Sequence, residues 1–517
     1  MLCVLLVLCL PMVRARALHT WRSRHDAAPL RVIIVGGGPN VEHNQVAIES
    51  NVRYVTRLLP TTAKRSTLFA DGDLEKQTVL YVDDVKALPI EQQALALVLQ
   101  GSDRDFSDYG HYRKPTIPGG LDGASSKQNV SALIDGISRD PQGGTGGVLL
   151  YFTGHGSPQS GNLENNHYDL WGRNGTLSVR ELAEQISHLP PDAPVAVVMA
   201  QCYSGSFGNL LFEGGDPSHP FIERDLVGFF ATTKERVAAG CTPALNEADY
   251  HDFTSYFFAA LTGQDRLGKK VTGADYNRDG HVGMDEAFCY TLAHDESIDV
   301  PVCTSDILLR HEVPFKIDEI DKTPYNEIKR WATKPQRAAM DLLSIRLKLT
   351  SEDRYLQAYG MMMPQPDQAA QQTHRQMSAN FRQLRTARRA FLFSRWPDLR
   401  KPGTPEYSAA RSEALADITG RFKSDSGGEW KELVDAYDAS HTAELQTQES
   451  ENRAAAAVRL VRLCTSVTLA HQLMQTGTPA QKARFQRVVG GEKQTLLEAA
   501  SAHPAEGSEE TAAVAEP

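Results

Sequence analysis

Short apolar runs rich in β-branched residues alternate, over the first three hundred residues, with stretches in which apolar positions repeat every three or four residues. The first pattern predicts buried strands and the second predicts amphipathic helices. Strands are predicted at 30–35, 66–70, 78–82 and 225–233, and in the two runs that lead to His155 and Cys202. Helices are predicted at 45–59, 91–99, 125–137, 177–189 and 251–261. This alternation predicts an α/β fold, a three-layer α/β/α sandwich around a mainly parallel sheet.

The pattern changes near residue 319. Strand-like runs end there, and alanine, glutamine, arginine and leucine recur at helical spacing to about residue 500. Breaks rich in proline, glycine or serine fall at 364–366, 401–405 and 424–428, so three or four long helices are predicted. We therefore expect an α/β domain over 30–315 and a separate all-α C-terminal region over 320–500. The small, acidic segment 501–517 is predicted to be a disordered tail.

The N-terminus has the pattern of an export signal. Residues 2–13 are almost continuously apolar, and Ala15-Arg16-Ala17 follows as an A-x-A processing site. This resembles a signal peptide over 1–17, although no lysine or arginine precedes the apolar run. The run is too short to span a membrane as a helix. We expect a secreted, periplasmic or otherwise lumenal protein with no membrane association after signal removal; the alternative is a buried N-terminal segment.

Composition narrows the classes of function. The chain has 517 residues, a formal net charge of −10 and 41% hydrophobic residues, which is typical of a globular protein and lacks the basic footprint of nucleic-acid binding. Signal removal would leave five of seven cysteines, and an odd count in an exported protein indicates a free thiol. Cys202 is the candidate for that thiol. Cys289 and Cys303 are close enough in sequence to pair, but the sequence leaves the connectivity open.

Two predicted strands end on side chains that can perform chemistry. His155 follows one apolar run and Cys202 follows the next. Ligands of α/β sheets lie beyond the carboxyl ends of the strands, so both side chains would meet at one edge. A thiol attacks as the thiolate, and histidine is suited to remove its proton. The pattern predicts a cysteine hydrolase; the alternative is a buried strand-end cysteine and an unrelated histidine.

Glycines follow both candidate residues. Gly156 leaves space for a substrate backbone, and its N–H and that of Cys202 are placed to bind a developing oxyanion. Gly205 is expected to let the chain turn sharply after the nucleophile.

These motifs resemble those of the caspase-like cysteine peptidases, in which His-Gly follows one strand and the nucleophile follows the next. The residues concerned are His155-Gly156 and Ala200-Gln201-Cys202. Within that group, Cys202-Tyr-Ser-Gly-Ser206 and Phe230-Ala-Thr-Thr233 resemble the nucleophile segment and the following strand of the legumain type. The resemblance covers roughly 31–309 and leaves out the helical region.

The resemblance implies a fold and a set of roles. The fold would be a caspase-like α/β sheet, with protein or peptide substrates. Cys202 would be the nucleophile, His155 the general acid/base, and Gly156 and Cys202 the oxyanion donors. The group typically uses a Cys–His dyad, so no third catalytic side chain is implied.

Two positions depart from the legumain pattern. Legumains have an acidic residue two positions before the nucleophile, where this chain has Ala200, and a basic residue after the first strand, where it reads Asn40-Val-Glu42-His43. Asparagine specificity is therefore not implied. Glu42 is either a determinant for a basic P1 side chain or an ordinary surface charge.

A second motif, at 275–286, matches the twelve-residue calcium loop. Oxygen ligands are expected from the side chains of Asp275, Asn277 and Asp279, from the His281 carbonyl and from bidentate Glu286. Gly280 stands at the invariant sixth position, and a water would replace the missing side chain of Gly283. A helix is predicted at 284–293, and 268–273 is not predicted to be helical. We expect one structural Ca²⁺; the alternative is a capped acidic turn.

Together the motifs predict a cysteine-type endopeptidase that acts through a Cys–His dyad and a thioester acyl-enzyme, with structural Ca²⁺. The alternative is a catalytically inactive caspase-like, calcium-binding interaction protein. Transfer of the acyl group to an amine rather than to water stays open, as do the P1 preference and the oligomeric state.

Overall fold

The computed structural model describes residues 29–82, 85–99, 111–141, 143–314, 323–363, 368–401, 404–424 and 427–495. The predicted signal peptide at 1–17 and the predicted tail at 501–517 lie outside these ranges. Both therefore stay predictions.

The α/β unit is built on a central sheet and two smaller ones. The described strands are β1 (Arg31–Gly37), β2 (Lys64–Phe69), β3 (Val79–Tyr81), β4 (His111–Arg113), β5 (Val148–Gly154), β6 (Gly156–Ser157), β7 (His167–Asp169), β8 (Thr176–Ser178), β9 (Val195–Met199), β10 (Leu226–Phe230) and β11 (Val302–Cys303). The central sheet has the order β11-β10-β9-β5-β1-β2, and only the β10–β11 pair is antiparallel. The predicted mainly parallel sheet is confirmed.

Helices surround this sheet and continue beyond it. The described α-helices are α1 (Val46–Leu58), α2 (Ile90–Leu99), α3 (Lys127–Arg139), α4 (Val179–Ser187), α5 (Phe253–Thr262), α6 (Met284–His294), α7 (Thr304–Glu312), α8 (Tyr325–Trp331), α9 (Lys334–Leu347), α10 (Arg354–Met361), α11 (Gln368–Arg395), α12 (Pro405–Lys423), α13 (Gly428–Thr476) and α14 (Pro479–Glu492). Within the described ranges, no helix combines the length and apolarity required to cross a bilayer.

Both faces of the central sheet are buried. Along β1, Val32 and Ile34 belong to a core shared with α1, α5 and α6, whereas Ile33 and Val35 belong to a core shared with α3 and α4. Burial on both faces explains why these strands are continuously apolar rather than alternating. The helices therefore form layers on either side of the sheet, as predicted.

Side-chain caps fix where several helices begin. Ser126 caps α3, Asp252 caps α5, and Ser178 with Glu181 forms a capping box at α4. The predicted helix at 177–189 therefore begins two residues late, because 176–178 pair with β7 as β8. The short strands β4, β6, β7, β8 and β11 were missed because two or three residues are too few to show a period, whereas the three-residue β3 was predicted at 78–82.

The C-terminal region is all-helical, as predicted, and its seven described α-helices include three long ones, α11, α12 and α13, with 28, 19 and 49 residues. It also does not stand apart from the α/β unit. The second half of α13 contributes Ala456, Leu460 and Cys464 to the core that includes β1 and α6. The first half packs instead with α2, α11 and α12 around Trp430. One long helix thus joins a peripheral bundle to the core of the sheet.

Candidate active site

The register of the sheet brings His155 and Cys202 to the same edge. β5 and β9 are adjacent and parallel, and Phe152 is paired with Met199. His155 and Cys202 each follow these paired residues by three positions. The structure therefore places the imidazole-bearing and thiol-bearing segments side by side at the carboxyl end of the sheet, where α/β proteins bind ligands.

Gly156 lies directly against the backbone of Cys202. A Cβ atom added at Gly156 would lie 2.3 Å from Cys202 O and 3.2 Å from His167 O. Asp169 N donates to His155 O at 3.0 Å, which makes 156 and 168 a non-hydrogen-bonded pair of the β6–β7 ladder. The Gly156 N–H therefore points away from β7. The Cys202 N–H donates to no backbone carbonyl within the described residues.

The imidazole of His155 is held by the loop that follows β1. Its Nε2 lies 2.9 Å from the carbonyl oxygen of His43 and 2.9 Å from Oε1 of Gln45. A carbonyl oxygen only accepts, so Nε2 carries the proton and Nδ1 is left with a lone pair. Burial lowers the pKa of His155, against opposing effects of the His43 carbonyl and Asp169. His155 is thus a neutral base near pH 7.

The thiol of Cys202 rests on the backbone of Ala238. Its Sγ lies 3.2 Å from Ala238 N and 3.7 Å from Ala238 O. Burial raises the pKa of Cys202 to about 11, although the Ala238 N–H favours the thiolate. No hydrogen bond joins the thiol to His155 within the described residues. In the resting state the thiol and the imidazole are therefore both neutral, and each is held by backbone or side-chain groups other than the other member of the pair.

The sharp turn after Cys202 occurs at Tyr203. Its φ of 58° lies in the left-handed region, and its N–H donates to Arg236 O at 2.8 Å. The role expected of Gly205 is corrected, because its φ is not positive. Instead Gly205 permits a close approach, since a Cβ atom there would lie 2.7 Å from Thr232 O.

A buried ion pair supports the strand that carries His155. Arg266 Nη2 lies 3.1 Å from Asp252 Oδ1, and both side chains are almost fully buried. Asn51 Nδ2 donates to Asp252 Oδ2 at 3.3 Å and to Thr153 Oγ1 at 2.9 Å. This network ties α1, β5 and α5 together, and removing one charge from such a pair costs about 3–5 kcal/mol.

Sequence reasoning missed the groups that orient the two candidate residues. Gln45 and the His43 carbonyl belong to the loop after β1, the strand beside β5. The available signal was a polar residue, Gln45, in the segment that follows that neighbouring strand. Ala238 carries no signal, since it acts through its backbone. Glu42 is exposed in the turn Val41–His43, and its role in P1 recognition stays a prediction.

The described cysteines are all free. Cys202 and Cys241 are partly buried and Cys289, Cys303 and Cys464 are buried, with no disulfide among them. The pairing of Cys289 with Cys303 that the sequence left open is therefore not formed. Cys303 Sγ instead lies 3.2 Å from Ser305 Oγ.

The 275–286 segment is a tight loop closed by its own carboxylates. Asp275 accepts the N–H groups of Arg278 at 2.7 Å and Gly280 at 3.1 Å. Glu286 accepts those of Asn277 at 2.9 Å and Gly283 at 3.1 Å. The loop needs left-handed backbone twice, with φ of 63° at Arg278 and 87° at Gly280. The predicted helix after the loop is confirmed as α6, and 268–273 is not helical, as expected.

The carboxylates of this loop face backbone N–H groups rather than one common point. Across the described ranges, no three His, Cys, Asp or Glu side chains are grouped closely enough to hold a metal ion. That grouping considers only His, Cys, Asp and Glu side chains, so it does not include Asn277 or the His281 carbonyl, which the sequence also predicts as ligands. The N–H of His281 donates to Asp279 Oδ1 at 3.0 Å. Burial raises the pKa of Glu286, and the charges of Asp275 and Asp279 raise it further. That repulsion is what a bound cation would relieve.

A cavity of 1040 Å³ lies away from these residues. It opens at the amino ends of β9 and β10, beside Val195 and Leu226, and Arg484 and Arg487 of α14 line one side. His155 and Cys202 lie at the carboxyl ends, so the cavity is not part of the candidate site.

In comparisons with known proteins, no protein-family model and no curated protein matches this chain.

Proposed function

We propose that the protein is a cysteine endopeptidase of the caspase-like, legumain-related type. The observation that carries the proposal is the register that places His155, Gly156 and Cys202 together at the carboxyl edge of a mainly parallel sheet. The motifs around these residues supply the family assignment. Protein or peptide substrates follow from the family, and the acidic net charge gives no reason to expect nucleic acid.

The geometry supports a general-base mechanism. Nδ1 of His155 accepts the thiol proton as Sγ of Cys202 forms a bond to the carbonyl carbon of the scissile peptide. The N–H groups of Gly156 and Cys202 donate to the oxyanion of the tetrahedral intermediate. His155 then returns the proton to the leaving amine, which leaves a thioester on Cys202. A water that loses its proton to His155 hydrolyses this thioester and restores the free thiol.

The pKa directions make this mechanism testable by labelling Cys202. A thiol with a pKa of about 11 is only about 10⁻⁴ ionised at pH 7, so iodoacetamide should modify it about tenfold faster per pH unit between pH 7 and pH 10. A peptidyl electrophile that occupies the site is activated by neutral His155. Its rate should rise only up to the lowered pKa of His155, with a midpoint below pH 6.5, and then level off.

The His155→Ala variant is the control for that experiment. In this variant the rate of labelling by the peptidyl electrophile should no longer level off. It should instead rise about tenfold per pH unit as the thiolate of Cys202 forms. A peptidyl electrophile that modifies Cys241 instead of Cys202 would contradict the assignment of the nucleophile.

A second candidate, an inactive caspase-like scaffold, is favoured by one observation: the buried thiol of Cys202 makes no hydrogen bond to His155. This candidate predicts no labelling of Cys202 by peptidyl electrophiles between pH 6 and pH 9. It also predicts calcium-dependent binding of a protein partner. The shared register and the two contacting backbones favour the active enzyme.

We further propose that 275–286 binds one structural Ca²⁺, with Asp275, Asn277, Asp279, the His281 carbonyl and Glu286 as ligands. The twisted loop and its carboxylates support the site, and Lys334 Nζ contacts Asn277 O at 3.2 Å while Met284 N donates to Gln494 O. The ion would therefore stabilise the place where the α/β unit meets the C-terminal helices. Residues 1–17 would direct export.

Removal of Ca²⁺ should lower the thermal midpoint. A ligand present at about 100 times its Kd adds about 2.7 kcal/mol, and a chain of this size has an unfolding entropy of about 1 kcal/mol/K, so excess EGTA should lower Tm by about 2–3 °C in differential scanning calorimetry. Glu286→Gln should abolish the response. Asp265→Asn is the matched control, because Asp265 Oδ1 also caps a turn, at Lys269 N, outside the loop. Equal Tm values with Ca²⁺ and EGTA would support the capped acidic turn instead.

A further inference from the structure

A buried arginine of the C-terminal region forms hydrogen bonds with the α/β unit. Arg459 lies in the second half of α13 and is 0% exposed. Its guanidinium donates to Asp299 O at 2.7 Å, to Ser297 O at 2.7 Å and to Asp295 O. One side chain therefore fixes the carbonyls of three alternate residues in a segment that lies about 160 residues earlier in the chain.

The same segment reaches the nucleophile through the side chain of Asp299. Its Oδ1 accepts the N–H of Ala239 at 2.7 Å, and its Oδ2 accepts the N–H of Phe253 at 3.0 Å. The neighbouring residue, Ala238, places its N–H 3.2 Å from Sγ of Cys202. Asp299 is itself 0% exposed, so its position is set by these contacts. The contacts form a continuous path from Arg459 to Cys202.

We infer that Arg459 is a positioning residue for Cys202 and that α13 is a permanent part of the catalytic unit. The inference deepens the proposed function and rests on Cys202 being the nucleophile. The physical basis of the inference is that all three guanidinium nitrogens of Arg459 donate hydrogen bonds at a fully buried site. Withdrawal of α13 would break these hydrogen bonds and expose the apolar core to which Ala456, Leu460 and Cys464 belong, which is strongly unfavourable.

Two further buried anchors hold the C-terminal helices in place. Arg462 and Ser466 of α13 contact Asp306 of α7. Glu492 of α14, which is 3% exposed, accepts Thr304 Oγ1 at 2.8 Å and Ser305 N at 2.7 Å. These anchors fix the helices on α7, and among the described residues none of their hydrogen bonds leads to the loop that contains Ala238.

Arg462 therefore provides a matched control for Arg459. Both are arginines of α13 that pair with a buried acidic residue of the α/β unit, but only Arg459 connects to Ala238. Full-length wild type, Arg459→Met, Arg459→Lys, Arg462→Met and Asp299→Asn would be compared. The measurements are kcat and KM for a peptide that the wild type cleaves, the Tm, and the rate of Cys202 alkylation by iodoacetamide. Modification of the buried Cys289 and Cys464 is measured in parallel to detect global unfolding.

The inference expects Arg459→Met to lower kcat by about tenfold to a hundredfold with little change in KM, because the nucleophile is misplaced rather than the substrate lost. Alkylation of Cys202 should become about tenfold faster as the Ala238 loop loosens, while Cys289 and Cys464 stay unmodified. Arg459→Lys should recover part of kcat. Asp299→Asn should lower kcat to a similar extent. The double variant with Arg459→Met and Asp299→Asn should lose less activity than the two single variants together, when each loss is expressed as a free energy.

Arg462→Met should lower Tm about as much as Arg459→Met does, yet its kcat should stay within about twofold of the wild-type value. Two results would overturn the inference: an Arg459→Met protein with unchanged kcat and alkylation rate, or an Arg462→Met protein that loses kcat equally. If the wild type hydrolyses no peptide, the proposed function fails. The alkylation rates still decide whether Arg459 holds the loop on Cys202.

Discussion

Replacement of Cys202 by alanine should lower kcat/KM for peptide hydrolysis by about 10⁴-fold or more, since in the proposed mechanism Cys202 is the group that forms the thioester. This loss corresponds to about 5.5 kcal/mol of transition-state stabilisation. Stability should change little, because the thiol is only partly buried and its contacts are to one backbone residue, Ala238. The measurement is hydrolysis of a fluorogenic peptide by protein whose Tm has been verified.

Cys464→Ala is the matched control for that prediction. It also exchanges a cysteine for alanine, but at a fully buried position in the apolar core that α13 shares with β1. It should cost stability and leave kcat/KM near that of wild type. A Cys202→Ala protein that still hydrolyses peptides at a comparable rate would disprove the proposed mechanism.

Gly156→Ala should lower kcat by about a hundredfold, the order expected when reacting groups are displaced by about 1 Å. The added methyl group would meet Cys202 O at 2.3 Å, Gln201 Cγ at 2.7 Å and His167 O at 3.2 Å. Two of these atoms belong to the backbone, so relief requires movement of the segment that carries Cys202. The overpacking should also cost about 1–3 kcal/mol in the free energy of unfolding, measured by urea denaturation.

Gly136→Ala is the corresponding control. Gly136 lies within α3, and a Cβ atom there meets nothing within 4 Å. The exchange should stabilise the helix by about 0.5–1 kcal/mol and leave kcat unchanged. Wild-type kcat in a folded Gly156→Ala protein would show that the contact between Gly156 and Cys202 is irrelevant to catalysis.

Much of the central sheet could be predicted from the sequence because its strands are buried on both faces. The runs before His155 and Cys202 are continuously apolar, and the parallel α/β pattern places their ends at one edge. The calcium-like loop and helix α6 were also predictable, because a local motif specifies its own turn residues, such as Gly280. Coordination of the ion stays a prediction.

The parts that could not be predicted depend on contacts between distant backbone groups. Gln45 orients His155 across 110 residues, and Arg459 binds the carbonyls of residues 295 to 299. Such contacts leave no period in the sequence. The division at residue 320 was misleading for the same reason: helical spacing predicts α13 but not the core that it completes. The bundle around Trp430 likewise includes α2, which comes from the N-terminal half.

Helix α13 has a consequence for when the protein can fold during its synthesis. The helix has 49 residues and is about 74 Å long, and its second half fills the core that β1 begins. Arg487 of α14 reaches back 265 residues to Ile222. Contacts of this sequence separation form late, and ribosomes add about 5–20 residues per second. The sheet edge that holds Cys202 is therefore completed only after most of the chain has been made, so that Cys202 and His155 are not yet held in their final places in the nascent polypeptide.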